Sequence, residues 1–329
     1  MTKPKVFIDG EAGTTGLQIC ARLNQRDDIE LVSLDPSQRK DATARAELIN
    51  AVDVAILCLP DEAAREAVSF VSNPTVKILD ASTAHRTAEG WVYGFPELNP
   101  GQREKVANAQ FVSVPGCYPT GFLSCIRPLI ASGLLSDRFP VTINAVSGYS
   151  GGGKSLIKQY DTFHTQQDEA QRSKGSAYPY GIYGTQFGHK HVKEMQHYSG
   201  LATPPLFVPS VGDFEQGMLV QVPLPLWTLD NPPSGQEIHH AIADYYQGEQ
   251  FIQVIPFQDS SVLRDGAFLD ATAMIGTNVV QIVVFANDAT QEALLVARLD
   301  NLGKGASGAA IQNLNLMLNV DETLGLFNW

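Results

Sequence analysis

Val6-Phe7-Ile8-Asp9-Gly10-Glu11-Ala12-Gly13-Thr14-Thr15-Gly16 is the stretch that decides the fold. A short apolar strand runs into three glycines, and Leu17, Ile19, Cys20 and Leu23 then fall near helical spacing. A glycine turn between strand and helix lets backbone approach a pyrophosphate, whose charge the helix N-terminus favours. Gly10, Gly13, Thr14, Thr15 and Gly16 are therefore candidate cofactor contacts. The spacing is G-x-x-G-x-x-G, not the usual G-x-G-x-x-G, so tight strand–helix packing is the competing explanation. Further along, residues 29–34 read as a second strand and 42–50 as a helix. Residues 53–59 are apolar on both faces, the mark of a buried parallel strand. Asp61 suits the N-cap of a helix to about residue 71, and 76–79 and 111–114 read as two more strands. Such alternation implies a doubly wound, Rossmann-type α/β domain. Asp35 closes the second strand, 19 residues past Gly16, where an acid could bind a ribose diol. Ser37, Arg39 and Lys40 follow at once and suit a 2′-phosphate, so the expected cofactor is NADP.

The chain has 329 residues, about two domains' worth. Its 35 acids against 23 bases give a net charge of -12, which argues against nucleic acid or an anionic membrane as partner. No apolar run approaches roughly 18 residues, and no signal-peptide core follows Met1-Thr2-Lys3-Pro4. Cys20, Cys58, Cys117 and Cys125 form no C-x-x-C pair. Reduced thiols and a cytoplasmic location are the expectation.

Val114-Pro115-Gly116-Cys117-Tyr118-Pro119-Thr120 carries the chemistry. A strand ends, Pro-Gly turns the chain, and Pro119 suits the start of a helix. Phe122, Leu123, Ile126, Leu129 and Ile130 give that helix an apolar face, which Pro128 should kink. Cys117 thus stands at a helix N-terminus at the carboxyl edge of a parallel sheet, where a thiol's pKa falls and ligands bind. Cys20, Cys58 and Cys125 read as packed structural residues. Beyond Cys117 the pattern turns to alternating strands, at 141–146, 219–222 and 279–284, as in an α+β domain ending near residue 298. Residues 160–190 read as loop or short helix, and residues 301–319 as a Gly-rich turn followed by a helix. Gly188-His189-Lys190-His191-Val192-Lys193-Glu194 holds two histidines without a third ligand at metal-site spacing, so no metal is expected. A base for Cys117 is the better function for the segment, a solvated polar loop the alternative. Gly148-Tyr149-Ser150-Gly151-Gly152-Gly153-Lys154-Ser155 formally matches a Walker A motif. The nucleotide fold already has its glycine turn, so this run reads instead as a loop for a substrate phosphate.

With these features in hand, the chain resembles the short-type N-acetyl-γ-glutamyl-phosphate reductases nearly end to end. The resemblance is carried by Gly10–Gly16, Asp80-Ala81-Ser82-Thr83-Ala84-His85-Arg86, Tyr93-Gly94-Phe95-Pro96-Glu97-Leu98 and the Cys117 motif. The Gly148–Lys154 run, the H-K-H-x-x-E segment, Val211-Gly212-Asp213-Phe214-Glu215-Gln216-Gly217-Met218 and Asp300-Asn301-Leu302-Gly303-Lys304-Gly305-Ala306-Ser307-Gly308 complete it. It implies reduction of an acyl phosphate by NADPH in arginine biosynthesis, with Cys117 as nucleophile and His189, in preference to His191, as catalytic base. Arg86, Ser147, Lys154 and His191 become substrate-binding candidates, and Asn301 a cofactor contact. The fold implied is that of glyceraldehyde-3-phosphate and aspartate-semialdehyde dehydrogenases. An NADP domain of residues 1–116 and 300–329 then encloses a catalytic and oligomerisation domain of 117–299, in a homodimer or homotetramer. An aspartate-semialdehyde dehydrogenase-like enzyme is the nearest alternative, and a non-catalytic NADP-binding module a more distant one.

Overall fold

The computed structural model describes residues 2–165 and 179–326. The chain divides into two compact units, one made of the residues up to Gly116 and those from Ala306 on, the other Cys117–Gly305. The first unit holds strands β1 (Lys5–Asp9), β2 (Glu30–Val32), β3 (Val54–Leu57), β4 (Lys77–Asp80), β5 (Val92–Tyr93) and β6 (Phe111–Ser113). All pairings are parallel, in the order β2-β1-β3-β4-β6-β5. The order reverses between β1 and β3, so the glycine turn after β1 lies at the switch point where such sheets bind ligands. Helices α1 (Thr14–Leu23), α2 (Ala42–Ala51), α3 (Asp61–Ser69) and α4 (Gln102–Asn108) accompany them. Phe7, Ile49, Val52, Ala55, Leu57, Ala67, Val76 and Ile78 form one core cluster here.

Local expectations are corrected at four points. Asp61 opens α3 instead of capping it, because its carboxylate accepts from Thr83 N at 3.0 Å and Thr83 Oγ1 at 2.5 Å. β2 stops at Val32, leaving Asp35 in the following turn. Leu17 points outward, 53% exposed, while Ile19 and Leu23 are buried. β5, of two residues, is too short to show a period.

The second unit contains α5 (Cys117–Ala131), β7 (Thr142–Gly148), α6 (Gly153–Thr165), β8 (Tyr180–Ile182), α7 (His191–Ser199), β9 (Leu206–Gly212) and β10 (Met218–Pro225). α8 (Gly235–Tyr245), β11 (Ile252–Val254), β12 (Val280–Asn287) and β13 (Glu292–Leu299) follow. Their mixed sheet runs β11-β12-β13-β10-β7-β9-β8. α5 lies on β10 and β13 and against α7 and α8. It is buried all round from Tyr118 to Ile126, where the sequence predicts a single apolar stripe. Ser124 closes locally, its Oγ donating to Thr120 O at 2.7 Å. The helix also runs past Pro128 to Ala131. Of residues 160–190, expected as loop or short helix, 160–165 end α6, 180–182 form β8 and 183–190 are loop and turn, while 166–178 lie outside the described residues.

A return segment completes the first unit. In α9 (Gly308–Met317) every residue is buried, polar ones included. Gln312 donates to Glu97 and Glu322, each at 2.7 Å, and Asn313 Nδ2 donates to Gly94 O at 2.8 Å. Asn315 Nδ2 reaches the carbonyls of Glu322 and Leu324. Ala309, Ala310, Ile311, Leu314 and Met317 are therefore only part of the helix's buried surface. The rest is a set of amides whose NH2 groups are all hydrogen-bonded, which lets them be buried.

Candidate active site

At the glycine turn, a Cβ on Gly10 (φ 90°) would run into the carbonyl oxygen of Cys58, and one on Gly16 would meet Gly10 O at 2.5 Å. Backbone alone can make this turn. No side chain caps α1 and no acid sits in its first turn, so its dipole end is uncompensated by the protein. That arrangement suits a dinucleotide phosphate, with Gly10, Gly13, Thr14, Thr15 and Gly16 around it. Asp35 is turned onto its own loop, accepting from Ser37 N at 2.9 Å and Ser37 Oγ at 2.6 Å. Arg39 pairs with Glu11, and Lys40 is exposed on the same loop. Arg86 is buried in this unit, its Nε donating to Val114 O at 2.9 Å. The loop carrying it is held by Asp80, which meets His85 Nδ1 at 2.6 Å and accepts from Ser82 Oγ at 2.8 Å.

In the second unit, Cys117 is the first residue of α5 and partly exposed. Its neighbour Tyr118 is buried and gathers the histidines. The Tyr118 ring lies 6.0 Å from His189, 5.9 Å from His191 and 5.1 Å from Phe207, centroid to centroid. The two imidazoles are 4.7 Å apart. His189 Nδ1 accepts the backbone N–H of His191 at 3.2 Å, which puts the proton of its neutral ring on Nε2. His191 Nε2 lies 4.0 Å from Oε1 of Glu194, a carboxylate one helical turn on and only 2% exposed. Burial, with the charges of Tyr183 and Cys117, pushes the Tyr118 phenol well above its usual range, and Tyr183 is pushed up to about 12 by burial. Burial also pushes up the thiols of Cys58 and Cys125.

Ser147, at the end of β7, is buried, its Oγ donating to Gly148 O at 3.0 Å. The Gly-rich loop behind it is partly occupied. Gly148 N, Tyr149 N and Ser150 N donate to the carbonyls of Gly217, Phe214 and Glu215 at 2.9 to 3.0 Å. Lys154 stands exposed in the first turn of α6 and is the member of the run best presented to an anion. Asn301 has both ends of its amide engaged within the second unit, Oδ1 accepting from Gly217 N at 2.8 Å and Nδ2 donating to Ser150 Oγ at 3.0 Å. Gly305 packs on Cys117: a Cβ added to it would lie 2.7 Å from the Cys117 Cβ. Sequence reasoning misses Glu194, Tyr118 and Tyr183 as site residues. The i,i+3 spacing of Glu194 to His191 is a signal that could have found it, whereas the tyrosines carry no local signal.

A parallel dinucleotide sheet joined to a mixed-sheet unit that opens on a cysteine with two imidazoles is the architecture of the semialdehyde dehydrogenases. Residues 35–108 match the semialdehyde dehydrogenase NAD binding domain and residues 117–301 the semialdehyde dehydrogenase dimerisation domain. Similar folds occur in aspartate semialdehyde dehydrogenase II of Vibrio cholerae (TM-score 0.70, 15% identity, covering 97% of this chain and 99% of that one). The Francisella tularensis aspartate semialdehyde dehydrogenase is comparable (TM-score 0.71, 16% identity, 96% and 100%). In sequence, the chain is 76% identical over 326 residues to N-acetyl-gamma-glutamyl-phosphate reductase 2 of Nostoc sp., covering 99% of this chain and 100% of that protein. It is 50% identical over 318 residues to the N-acetyl-gamma-glutamyl-phosphate reductase of Chelativorans sp., covering 96% and 98%. The chain belongs to the N-acetyl-γ-glutamyl-phosphate reductase family.

Proposed function

We propose that this protein reduces N-acetyl-γ-glutamyl phosphate to N-acetyl-glutamate semialdehyde and phosphate, in arginine biosynthesis, through a thioester on Cys117. The observation that carries the mechanism is the grouping of both imidazoles around Tyr118, the residue next to the thiol. A base takes the thiol proton, Sγ bonds to the acyl carbon, and the carbon–oxygen bond to phosphate breaks. Bound NADPH supplies hydride to the thioester carbon. The carbon–sulfur bond then breaks, releasing aldehyde and restoring the thiolate. We assign the base to His191, oriented by Glu194, in place of His189. The amide proton on His189 Nδ1 leaves that ring a donor at Nε2, suited to the oxygen that gains charge. Lys154, Arg86 and Ser147 remain the candidates for holding the anionic substrate.

NADPH is the preferred cofactor in this proposal. Asp35 is engaged by Ser37 rather than presented to a ribose diol, while Arg39 and Lys40 supply positive charge beside it. Asn301 is kept as a cofactor-contact candidate, its amide also bracing the Gly-rich loop through Gly217 N and Ser150 Oγ. The first unit is the cofactor domain and the second the catalytic and pairing domain. A homo-oligomer, dimer or tetramer, is supported by an apolar groove of ≈ 540 Å³ in the second unit, lined by Pro223, Trp227 (55% exposed), Phe285 and Leu294. Among the described residues no helix is long and apolar enough to cross a membrane, and the four cysteines are in the thiol form, which suits a reducing cytoplasm.

The test is phosphate-dependent reduction of NADP by purified protein with N-acetyl-glutamate semialdehyde, set beside aspartate semialdehyde. Turnover with the acetylated substrate is expected, and Cys117→Ser should abolish it while NADP still binds. Faster turnover of aspartate semialdehyde, or an active Cys117→Ser variant, would overturn the assignment.

A further inference from the structure

We infer that Tyr118 is a positioning residue whose phenol ties the cysteine-bearing helix to the histidine-bearing loop. Its hydroxyl donates to Ser210 O on β9 at 3.1 Å and accepts from Tyr183 Oη at 3.2 Å. Tyr183 lies on the segment between β8 and α7, six residues before His189. One phenol therefore links three pieces of chain: the start of α5, the sheet, and the loop that delivers the imidazoles.

Geometry makes this a constraint on the chemistry as well as on the fold. The ring is fixed at one end by the helix backbone and at the other by two hydrogen bonds, so it cannot swing. Its edges and faces are where His189 and His191 rest. Tyr183 adds a second contact, its ring centroid 5.9 Å from that of His189. The distance from thiol to imidazole is thus set through Tyr118. Burial keeps both phenols protonated at neutral pH, so the tie is a pair of neutral hydrogen bonds and not a charge relay. Misplacement of reacting groups by about 1 Å can cost around a hundredfold in rate, whereas substrate binding elsewhere need not change.

Because the inference rests on Cys117 being the nucleophile, its test uses a thiol readout that does not require turnover. Tyr118→Phe keeps the ring and removes both hydrogen bonds; Tyr183→Phe removes only the tie to the loop. In Tyr118→Phe, kcat is expected to fall about 10- to 100-fold with little change in KM. The pH profile of Cys117 alkylation by iodoacetamide should move toward that of an unassisted thiol. Tyr183→Phe should show a smaller change of the same kind, with NADP affinity unchanged in both. Wild-type kcat and an unmoved alkylation profile in Tyr118→Phe would overturn the inference. So would equal losses of NADP affinity and activity, the pattern of general unfolding. Absence of turnover in the unaltered protein would instead refute the proposed function, with the alkylation comparison still deciding the tie.

Discussion

Replacing Gly305 with alanine would set a methyl carbon 2.7 Å from the Cys117 Cβ, 3.1 Å from Asp300 O and 3.3 Å from the Cys117 Cα. Carbon pairs rest at about 3.5–4.0 Å, so about 1 Å of displacement has to be found. None of these neighbours is the free end of a flexible side chain. Asp300 is held on three sides: Gln216 Nε2 donates to it at 2.7 Å, and Gly276 N and Leu302 N each donate at 2.9 Å. The first turn of α5 is the part that must yield, and Cys117 with it. Overpacking of this kind costs about 1–3 kcal/mol in stability. In catalysis, a shift of about 1 Å at the nucleophile costs on the order of a hundredfold. The assay is phosphate-dependent NADP reduction with N-acetyl-glutamate semialdehyde, read as kcat alongside thermal melting. Gly305→Ala should remain folded, with a lowered Tm and a kcat reduced about a hundredfold. A kcat within about twofold of the unaltered protein would show that the turn absorbs the methyl without moving Cys117, and the reasoning would fail.

Arg39→Ala combined with Lys40→Ala should raise KM for NADPH far more than KM for NADH, and equal effects would place those charges away from the 2′-phosphate. Ser234 caps α8 in a reciprocal box with Glu237, accepting from Glu237 N at 3.2 Å while its own N–H donates to Glu237 Oε2 at 2.8 Å. Ser234→Ala should cost about 1 kcal/mol in stability, measured by denaturant unfolding, with kcat unchanged. For the thiols of Cys58, half-buried, and Cys125, buried, folded pKa values are raised above the unfolded range. Their contribution is full below about pH 8.5 and is lost as pH rises beyond it, because only the unfolded chain ionises there. Tm should therefore decline above that pH, and Cys125→Val should flatten the decline; an unchanged slope would remove the thiols as its cause.

Much of this protein was legible along the chain because the deciding signals are local. A strand, a glycine turn and a helix within residues 5–23 define the nucleotide unit, since glycine spacing and apolar period are set by neighbours in sequence. Pro-Gly before Cys117 and the H-K-H segment marked the proposed site for the same reason. At two helices the reading failed because burial is nearly complete. α5 and α9 are enclosed on all sides, so no polar face exists to give an amphipathic period, and Asn313 and Asn315 become buried partners instead of solvent contacts. The proposed division of roles between the imidazoles rests on tertiary contacts, namely which ring accepts the His191 amide and which lies near Glu194. The tertiary structure alone filled the amides of the Gly-rich loop from residues 214–217, and turned Gly305 toward Cys117. The bond from Tyr118 to Ser210 joins residues 92 apart, and no pattern along the chain encodes such a contact; it exists because sheet and helix packing bring the two to hydrogen-bonding distance.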